Sequence, residues 1–129
     1  MALLYVALGG ALGSALRYLV GGSVQRAMHA GFPYGTLIVN ITGCFIVGVL
    51  IKLFMNVEPP APLRSLLVVG FCGGFTTFSS FSGETIGLIE SGDYARAGAY
   101  VLASVVLCLA ATGAGMAAVS ASGYGVHGG

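Results

Sequence analysis

Residues 70–82 read Gly-Phe-Cys-Gly-Gly-Phe-Thr-Thr-Phe-Ser-Ser-Phe-Ser, and they are the most informative segment for predicting the fold. Glycines interrupt an apolar segment here, and a run of hydroxyl side chains follows them. In a bilayer, irregular backbone is tolerated only where it is buried in protein or lines a watery cavity, because each unpaired amide costs several kcal/mol. The stretch therefore predicts a broken membrane helix whose break faces inward, towards a site.

The chain as a whole has the composition of an integral membrane protein. Of its 129 residues, 57% are hydrophobic and only 7% are charged, whereas soluble domains carry roughly 25% charged residues. A helix needs about 20 apolar residues to cross the hydrocarbon core, so this length allows about four crossings and no separate soluble domain. The net charge of +1, without a basic run, gives no indication of nucleic-acid binding.

Hydropathy and helix-breaking residues divide the single predicted membrane domain, residues 1–129, into four spans. These lie near residues 2–24, 33–55, 64–88 and 95–120. The second loop, residues 56–62, is rich in proline, which cannot continue a helix. The first span lacks the basic region of a cleaved signal peptide. The fold class predicted is all-α, with four transmembrane helices of which the third is broken near its middle.

The positive charges near the span ends are balanced between the two membrane faces. Lys52 and Arg64 flank the second loop, whereas Arg26 and Arg96 flank the opposite face. Orientation depends on a difference in Lys and Arg between the faces, so neither orientation is strongly favoured. Two interpretations stay open here. One residue such as Arg17 fixes the orientation, or the chain inserts both ways and assembles as an antiparallel dimer.

Asn40 lies in the middle of the second predicted span. Its amide has up to four hydrogen-bonding positions, which hydrocarbon leaves empty, so the side chain must face protein or water. Membrane asparagines often do no more than join two helices. Thr36, one turn earlier, favours a polar pathway instead.

A polar stripe runs along the fourth predicted span. Tyr100, Ser104, Cys108 and Thr112 recur every four residues and so share one helical face. Such a pattern is also typical of ordinary helix packing in membranes. Its coincidence with Asn40 and with the broken third span favours a continuous polar track.

Two aromatic and two charged residues complete the set of candidates. Phe78 and Phe81 share one face if the helix resumes after the glycines. They form either a core or lipid-facing surface, or an anion site, since the edge of a phenyl ring is positive. Arg17 and Glu84 lie near span ends, where they reach the interface, pair with each other, or steer ions.

The inventory of reactive side chains argues against an enzyme and against a disulfide or zinc site. The histidines, His29 and His127, lie in a loop and in the tail, without an apparent catalytic partner. Cys44, Cys72 and Cys108 lie in apolar segments and lack the paired spacing of metal sites. We therefore expect a membrane function other than catalysis.

Three segments together resemble the fluoride channel family called Fluc or CrcB. They are Gly-Gly-Ala-Leu-Gly-Ser-Ala-Leu-Arg-Tyr at residues 9–18, Gly-Thr-Leu-Ile-Val-Asn at residues 35–40 with Gly43, and residues 70–82 with Glu84. The resemblance covers nearly the whole chain. It implies a passive fluoride channel of the inner membrane, an antiparallel homodimer with two narrow pores, which relieves the cytoplasm of fluoride.

The resemblance also implies roles for residues of the polar track. Asn40 would hydrogen-bond fluoride, the ring edges of Phe78 and Phe81 would line each pore, and Tyr100 and Ser104 would continue the track. Cys108 stands where the family often has serine, and a thiol is a much weaker donor.

The resemblance further implies a structural sodium ion at the dimer centre. Backbone carbonyls of Gly73 and Thr76, from both subunits, would hold it. Carbonyl oxygens suit a hard cation.

Two other classes of membrane protein compete with the channel. A small multidrug-resistance-type exporter has the same size and dual topology. That family is built around a glutamate in the first span, however, and the first span of this chain has no carboxylate. An assembly subunit would need only glycine packing, such as the small-xxx-small pattern of Gly9 and Gly13. It leaves the hydroxyl-rich break and the Asn40 and Tyr100 stripes unexplained.

Overall fold

The computed structural model describes residues 1–28 and 31–123, and the regular elements in this part of the chain are helical. They are α1 (Ala2–Met28), α2 (Tyr34–Asn56), α3 (Ala61–Arg64), a π-helical segment (Ser65–Cys72), α4 (Gly73–Phe75), α5 (Phe78–Glu90) and α6 (Tyr94–Ala121). From α3 to α5 the pieces form one span, and four spans are long and apolar enough to cross a membrane. The predicted fold class, four membrane helices with a broken third, is confirmed, and the chain is a multi-pass membrane protein.

Local sequence explains where the helices begin and end. Pro62 lies in the first turn of α3, where its missing N–H leaves no partner unsatisfied. Gly92 turns the chain between α5 and α6 with a φ of 83°, which glycine adopts without steric cost. The Asp93 carboxylate then caps α6 by accepting from the Arg96 backbone N–H at 3.2 Å. His29 and His127 lie outside the described residues.

The break in the third span lies at Thr76 and Thr77, after the glycines rather than at them. Thr76 has φ −82° and ψ 156°, and Thr77 has φ −148° and ψ 112°, so both are extended. We expected the glycines themselves to interrupt the helix, yet Gly70 and Gly74 are helical. Glycine is needed at both positions because the third span packs closely against α1: a Cβ at either would lie within 2.7 Å of a backbone oxygen of α1.

Helix α1 packs its glycine face against the π-helical segment. A Cβ at Gly9 would collide with the carbonyl oxygen of Leu66, and one at Gly13 with that of Phe71. The small-xxx-small pattern predicted close helix packing of this kind, and the packing is within the subunit.

Helices α2 and α6 form the other close pair. A Cβ at Gly48 would collide with the carbonyl oxygen of Thr112, and one at Gly115 with that of Phe45. Val39 on α2 and Tyr100 on α6 are fully buried in this region. The core of the subunit therefore holds the two helices that carry the predicted polar stripes.

Candidate functional site

Helices α2 and α6 run parallel with their polar positions in register. The Thr36 and Tyr100 hydroxyls donate to the same carboxylate, that of Glu84, the thiols of Cys44 and Cys108 are close enough to interact, and Gly48 contacts Thr112. Asn40 and Ser104, between these pairs, line the same cavity. We call this series the α2–α6 ladder: Thr36 with Tyr100, Asn40 with Ser104, Cys44 with Cys108, and Gly48 with Thr112.

Asn40 connects the ladder to the break in the third span. Its Oδ1 accepts from the Thr77 N–H at 2.8 Å, and its Nδ2 donates to the Thr77 carbonyl oxygen at 3.1 Å. The amide thus pairs both backbone groups that the unwound residue leaves open. A primary amide has two N–H hydrogens, so one donor on Asn40 remains for another acceptor.

Thr77 also starts the helix that follows the break. Its Oγ1 accepts from the Ser80 N–H at 3.1 Å and lies 3.3 Å from the Ser79 hydroxyl. A threonine at this position satisfies one of the orphan donors of a helix N-terminus. The hydroxyl-rich run predicts an unwound segment, and it also contains the Thr77 hydroxyl that caps the next helix, α5.

The same hydrogen bonds free two carbonyl groups of the third span. In a continuous helix, the Thr77 N–H would bond the Gly73 carbonyl and the Ser80 N–H that of Thr76. Both donors are used elsewhere, by Asn40 and by the Thr77 hydroxyl. Gly73 is exposed on the subunit surface, with open space where a Cβ would lie.

Glu84 is an acceptor shared by α2 and α6. The Thr36 hydroxyl donates to its Oε1 at 2.7 Å, and the Tyr100 hydroxyl donates to its Oε2 at 2.7 Å. From the sequence, Glu84 was expected to reach the interface, pair with Arg17 or steer ions. Here its carboxylate accepts from two hydroxyl groups, and the ion pair among the described residues is Arg96 with Asp93.

Two cavities meet at Thr77, which lines both. The outer cavity has a volume of about 820 Å³, and its lining includes Arg17, Arg26 and Glu84. The inner cavity has a volume of about 500 Å³, and none of the described residues that line it is charged. A charged entrance therefore adjoins a chamber of neutral polar and aromatic groups.

Ser104 and Cys108 contribute α6 groups to the inner cavity. The Ser104 side chain is only 8% exposed, and its Oγ has no hydrogen-bond partner within the part of the chain that the structure describes. Buried hydroxyls are nearly always paired. This one is a donor without an acceptor at the cavity wall.

Phe78 and Phe81 line the inner cavity from α5. Their ring centroids are 5.5 Å apart with a tilt of 49°, and Phe81 lies 5.1 Å from the Tyr100 ring with a tilt of 57°. Phe78 is 79% exposed on the isolated subunit. The rings thus form one side of the cavity, and that side is open.

Reasoning from the sequence alone missed several of these relationships. It did not identify the bond of Asn40 to the Thr77 backbone, the hydrogen bonds of Thr36 and Tyr100 to Glu84, or the pairing of Cys44 with Cys108 at the inner cavity. One signal was available: Thr36, Asn40 and Cys44 recur every four residues, as do Tyr100, Ser104 and Cys108. Two stripes of equal period predict a ladder wherever their helices pack in parallel.

Comparison with known proteins agrees with this architecture. Residues 4–116 match the family model described as "CrcB-like protein, Camphor Resistance (CrcB)". The chain is 50% identical over 117 residues to "Fluoride-specific ion channel FluC" of Rhizobium johnstonii, covering 90% of this chain and 94% of the relative.

Two further relatives are similar over most of their length. "Fluoride-specific ion channel FluC 1" of Nitrobacter hamburgensis is 50% identical over 88% of this chain and 91% of its own length. "Fluoride-specific ion channel FluC" of Geobacter metallireducens is 47% identical over 86% of this chain and 90% of its own length. With its broken third helix and a family match that spans nearly the whole sequence, the chain belongs to the CrcB family.

Proposed function

We propose that the protein is a fluoride-selective passive channel rather than an enzyme. The observation that carries the proposal is the inner cavity. Its described lining combines the Asn40 amide, two phenyl rings and the Ser104 hydroxyl, which has no partner among the described residues, and it includes no charged group. Relatives that share about half of its residues over most of both chains are named fluoride-specific ion channels.

Fluoride is small and holds its water tightly, so a pathway must replace hydration with hydrogen-bond donors. The second N–H of Asn40 and the hydroxyl of Ser104 are such donors, and they belong to the same rung of the α2–α6 ladder. Donors that serve an ion are worth more than those between neutral groups. The Thr36 and Tyr100 hydroxyls donate to Glu84. In this arrangement they hold α2 and α6 in place at the outer end of the track.

The phenyl rings add attraction without a fixed positive charge. A ring edge turned towards the cavity offers its positive rim to an anion. Because the described residues that line the inner cavity include no cation, the ion binds weakly enough to leave, which conduction requires. The Arg17 guanidinium, at the outer cavity, draws anions towards the entrance.

The working unit we propose is an antiparallel homodimer with two pores. Phe78 is 79% exposed beside a cavity that should be enclosed in a channel, and Gly73 is exposed nearby. A second copy covering this face would close the cavity in each subunit, and a two-fold axis would make two equivalent pathways. The balanced Lys and Arg content near the span ends agrees with insertion in both orientations.

A sodium ion at the dimer centre fits the chemistry of the break. The Gly73 and Thr76 carbonyls have lost their intrahelical donors, and two such oxygens from each copy would make a set of hard ligands. The ion would neutralise these carbonyl dipoles where the two breaks meet. Sodium in place of a large organic cation should then raise the thermal stability of the dimer.

The exporter alternative is not favoured by these findings. Helix α1 has no carboxylate, and the membrane carboxylate present, Glu84, is engaged by two hydroxyl donors. The named function of the relatives is fluoride conduction.

Efflux from liposomes tests the function directly. Purified protein is reconstituted in vesicles loaded with fluoride or chloride, and efflux is followed with ion-selective electrodes. We expect rapid fluoride efflux and chloride efflux no faster than from empty vesicles. Absence of fluoride efflux, from protein that elutes as a single folded species, would overturn the proposal.

Labelling from one side tests the orientation. Glu90→Cys, in a background with Cys44, Cys72 and Cys108 changed to serine, places one thiol at the exposed C-terminal end of α5. For dual topology, an impermeant maleimide should label about half of the copies in intact cells and the rest after lysis. Labelling of all copies from one side would exclude the antiparallel dimer.

A further inference from the structure

All three cysteines of the chain line the inner cavity, although they come from different helices. Cys44 lies on α2, Cys72 in the π-helical segment and Cys108 on α6. Cys44 and Cys108 form one rung of the α2–α6 ladder, one turn before the contact between Gly48 and Thr112, and their thiols are close enough to interact. Cys72 is buried, whereas Cys44 and Cys108 are half-buried. The chain thus presents a thiol pair at the cavity wall.

The backbone holds this pair in place. One turn further along, Gly48 and Thr112 are in backbone contact, and two turns earlier the Thr36 and Tyr100 hydroxyls both donate to Glu84. The two helices therefore cannot separate at the thiol rung without losing contacts on both sides of it. A bridging group between the sulfurs would find its ligands already close together.

The chemistry of two facing thiols is specific. Thiolate is a soft ligand and selects soft cations, and the ligand form is the deprotonated sulfur. Within the described residues there is no cluster of three or more His, Cys, Asp or Glu that could hold a metal. The pair therefore suits a cation that accepts linear two-coordinate ligation, and disfavours zinc, which takes four ligands.

We propose that Cys44 and Cys108 form a binding site for soft, two-coordinate metal ions, of which Hg²⁺ is the probe. Mercuric chloride exchanges both chlorides for the two sulfurs, and each thiol releases its proton with a chloride as HCl. No oxidant or reductant takes part. Neutral mercuric chloride crosses lipid, so the site can be reached without passage of a cation through an anion pathway.

Occupation of this site should obstruct the inner cavity. The bridge lies one turn beyond the Asn40 and Ser104 rung, in the chamber through which we propose fluoride passes. This consequence rests on the proposed channel function, whereas the metal site itself does not. The two are therefore measured separately.

Intact mass spectrometry tests the site without any transport. Protein in detergent is treated with a small excess of mercuric chloride, and unbound metal is removed by gel filtration. We expect one mercury per chain, with two hydrogens lost, in the parent protein and in Cys72→Ala. Cys44→Ala and Cys108→Ser should lose this two-hydrogen adduct. An unchanged adduct in either variant, or its loss in Cys72→Ala, would overturn the assignment.

Fluoride efflux tests the obstruction. Each variant is compared with its own rate in the absence of mercury, because Cys108 is itself a candidate track residue. Mercuric chloride should slow the parent protein and Cys72→Ala by about tenfold or more, since a blocked cavity stops conduction, and excess dithiothreitol should restore the rate. Cys44→Ala should resist. If the parent protein carries the mercury bridge and still conducts fluoride at its full rate, the obstruction is refuted, whereas the channel function stands.

Discussion

The Asn40 side chain and the Thr77 backbone form a reciprocal pair, with Oδ1 accepting at 2.8 Å and Nδ2 donating at 3.1 Å. The pair links α2 to the point where the third span unwinds. An extended residue within a membrane helix leaves an N–H and a carbonyl unpaired, and each would be costly in a low-dielectric interior. Asn40 therefore stabilises the break and at the same time keeps one N–H for the cavity.

Replacement of this amide should damage both stability and conduction. Asn40→Asp keeps the acceptor for the Thr77 N–H but loses the donor to its carbonyl, and adds a negative charge beside the cavity. We expect a loss of about 1–3 kcal/mol in the free energy of unfolding and no measurable fluoride efflux. Reversible unfolding in sodium dodecyl sulfate and liposome efflux are the measurements. Thr42→Val, at an exposed position on the same helix, should match the parent in both, and normal efflux by Asn40→Asp would contradict its place in the pathway.

Replacement of Ser104, unlike that of Asn40, should not lower the stability of the protein. Its buried hydroxyl has no partner in the described chain, and an unpaired buried polar group costs about 1–3 kcal/mol. Ser104→Ala should therefore keep or raise the free energy of unfolding. If the hydroxyl donates to permeating fluoride, efflux should fall about 10- to 100-fold, the factor that corresponds to a lost donor to a charged group.

The matched control for Ser104 is Ser120→Ala on the same helix. Its hydroxyl is exposed and donates to the Met116 carbonyl at 3.2 Å. Efflux should be unchanged in this variant. Equal efflux from Ser104→Ala and the parent would remove Ser104 from the track.

Glu84 should be energetically coupled to Tyr100. Glu84→Gln leaves one carboxyl position unable to accept, so one of the two donors, Thr36 or Tyr100, loses its partner. Glu84→Gln, Tyr100→Phe and the double variant form a cycle in which we expect a coupling energy of about 0.5–3 kcal/mol. Glu90→Gln, at the exposed end of α5, is the control and should show no coupling to Tyr100→Phe. Additive effects of Glu84→Gln and Tyr100→Phe would mean that the 2.7 Å hydrogen bond adds nothing to stability.

Two neighbouring glycines of α6 should differ sharply when changed to alanine. A Cβ at Gly115 would collide with the Phe45 carbonyl oxygen, whereas one at Gly113 meets nothing within 4 Å in the subunit. Gly115→Ala should lower the free energy of unfolding by about 1–3 kcal/mol, the usual cost of overpacking. Gly113→Ala should be neutral or stabilising by up to about 1 kcal/mol, since alanine favours helix. Equal stability of the two variants, measured by unfolding in dodecyl sulfate, would contradict the close approach of α2 and α6.

Much of the architecture could be predicted from local features. Span number follows from hydropathy, and the short proline- and glycine-containing loops follow from backbone preferences. The hydroxyl-rich composition predicts the unwound region, but the break lies at Thr76 and Thr77 rather than at the glycines. The glycines proved helical because their small size serves contact with α1, a tertiary requirement that local composition does not reveal.

Local sequence is enough to predict a membrane protein of four helices, the polar residues that recur on one face of α2 and of α6, and a break in the third span. These properties depend on residues within one or two turns of each other. The hydrogen-bond partners depend instead on tertiary packing: Asn40 bonds a residue 37 positions away, and Thr36 bonds Glu84, 48 positions away. In lipid every polar group needs a partner, but the choice among possible partners is made by helix packing, through glycines that let α6 approach α2 in one register and so bring Asn40 beside Ser104 and Cys44 beside Cys108.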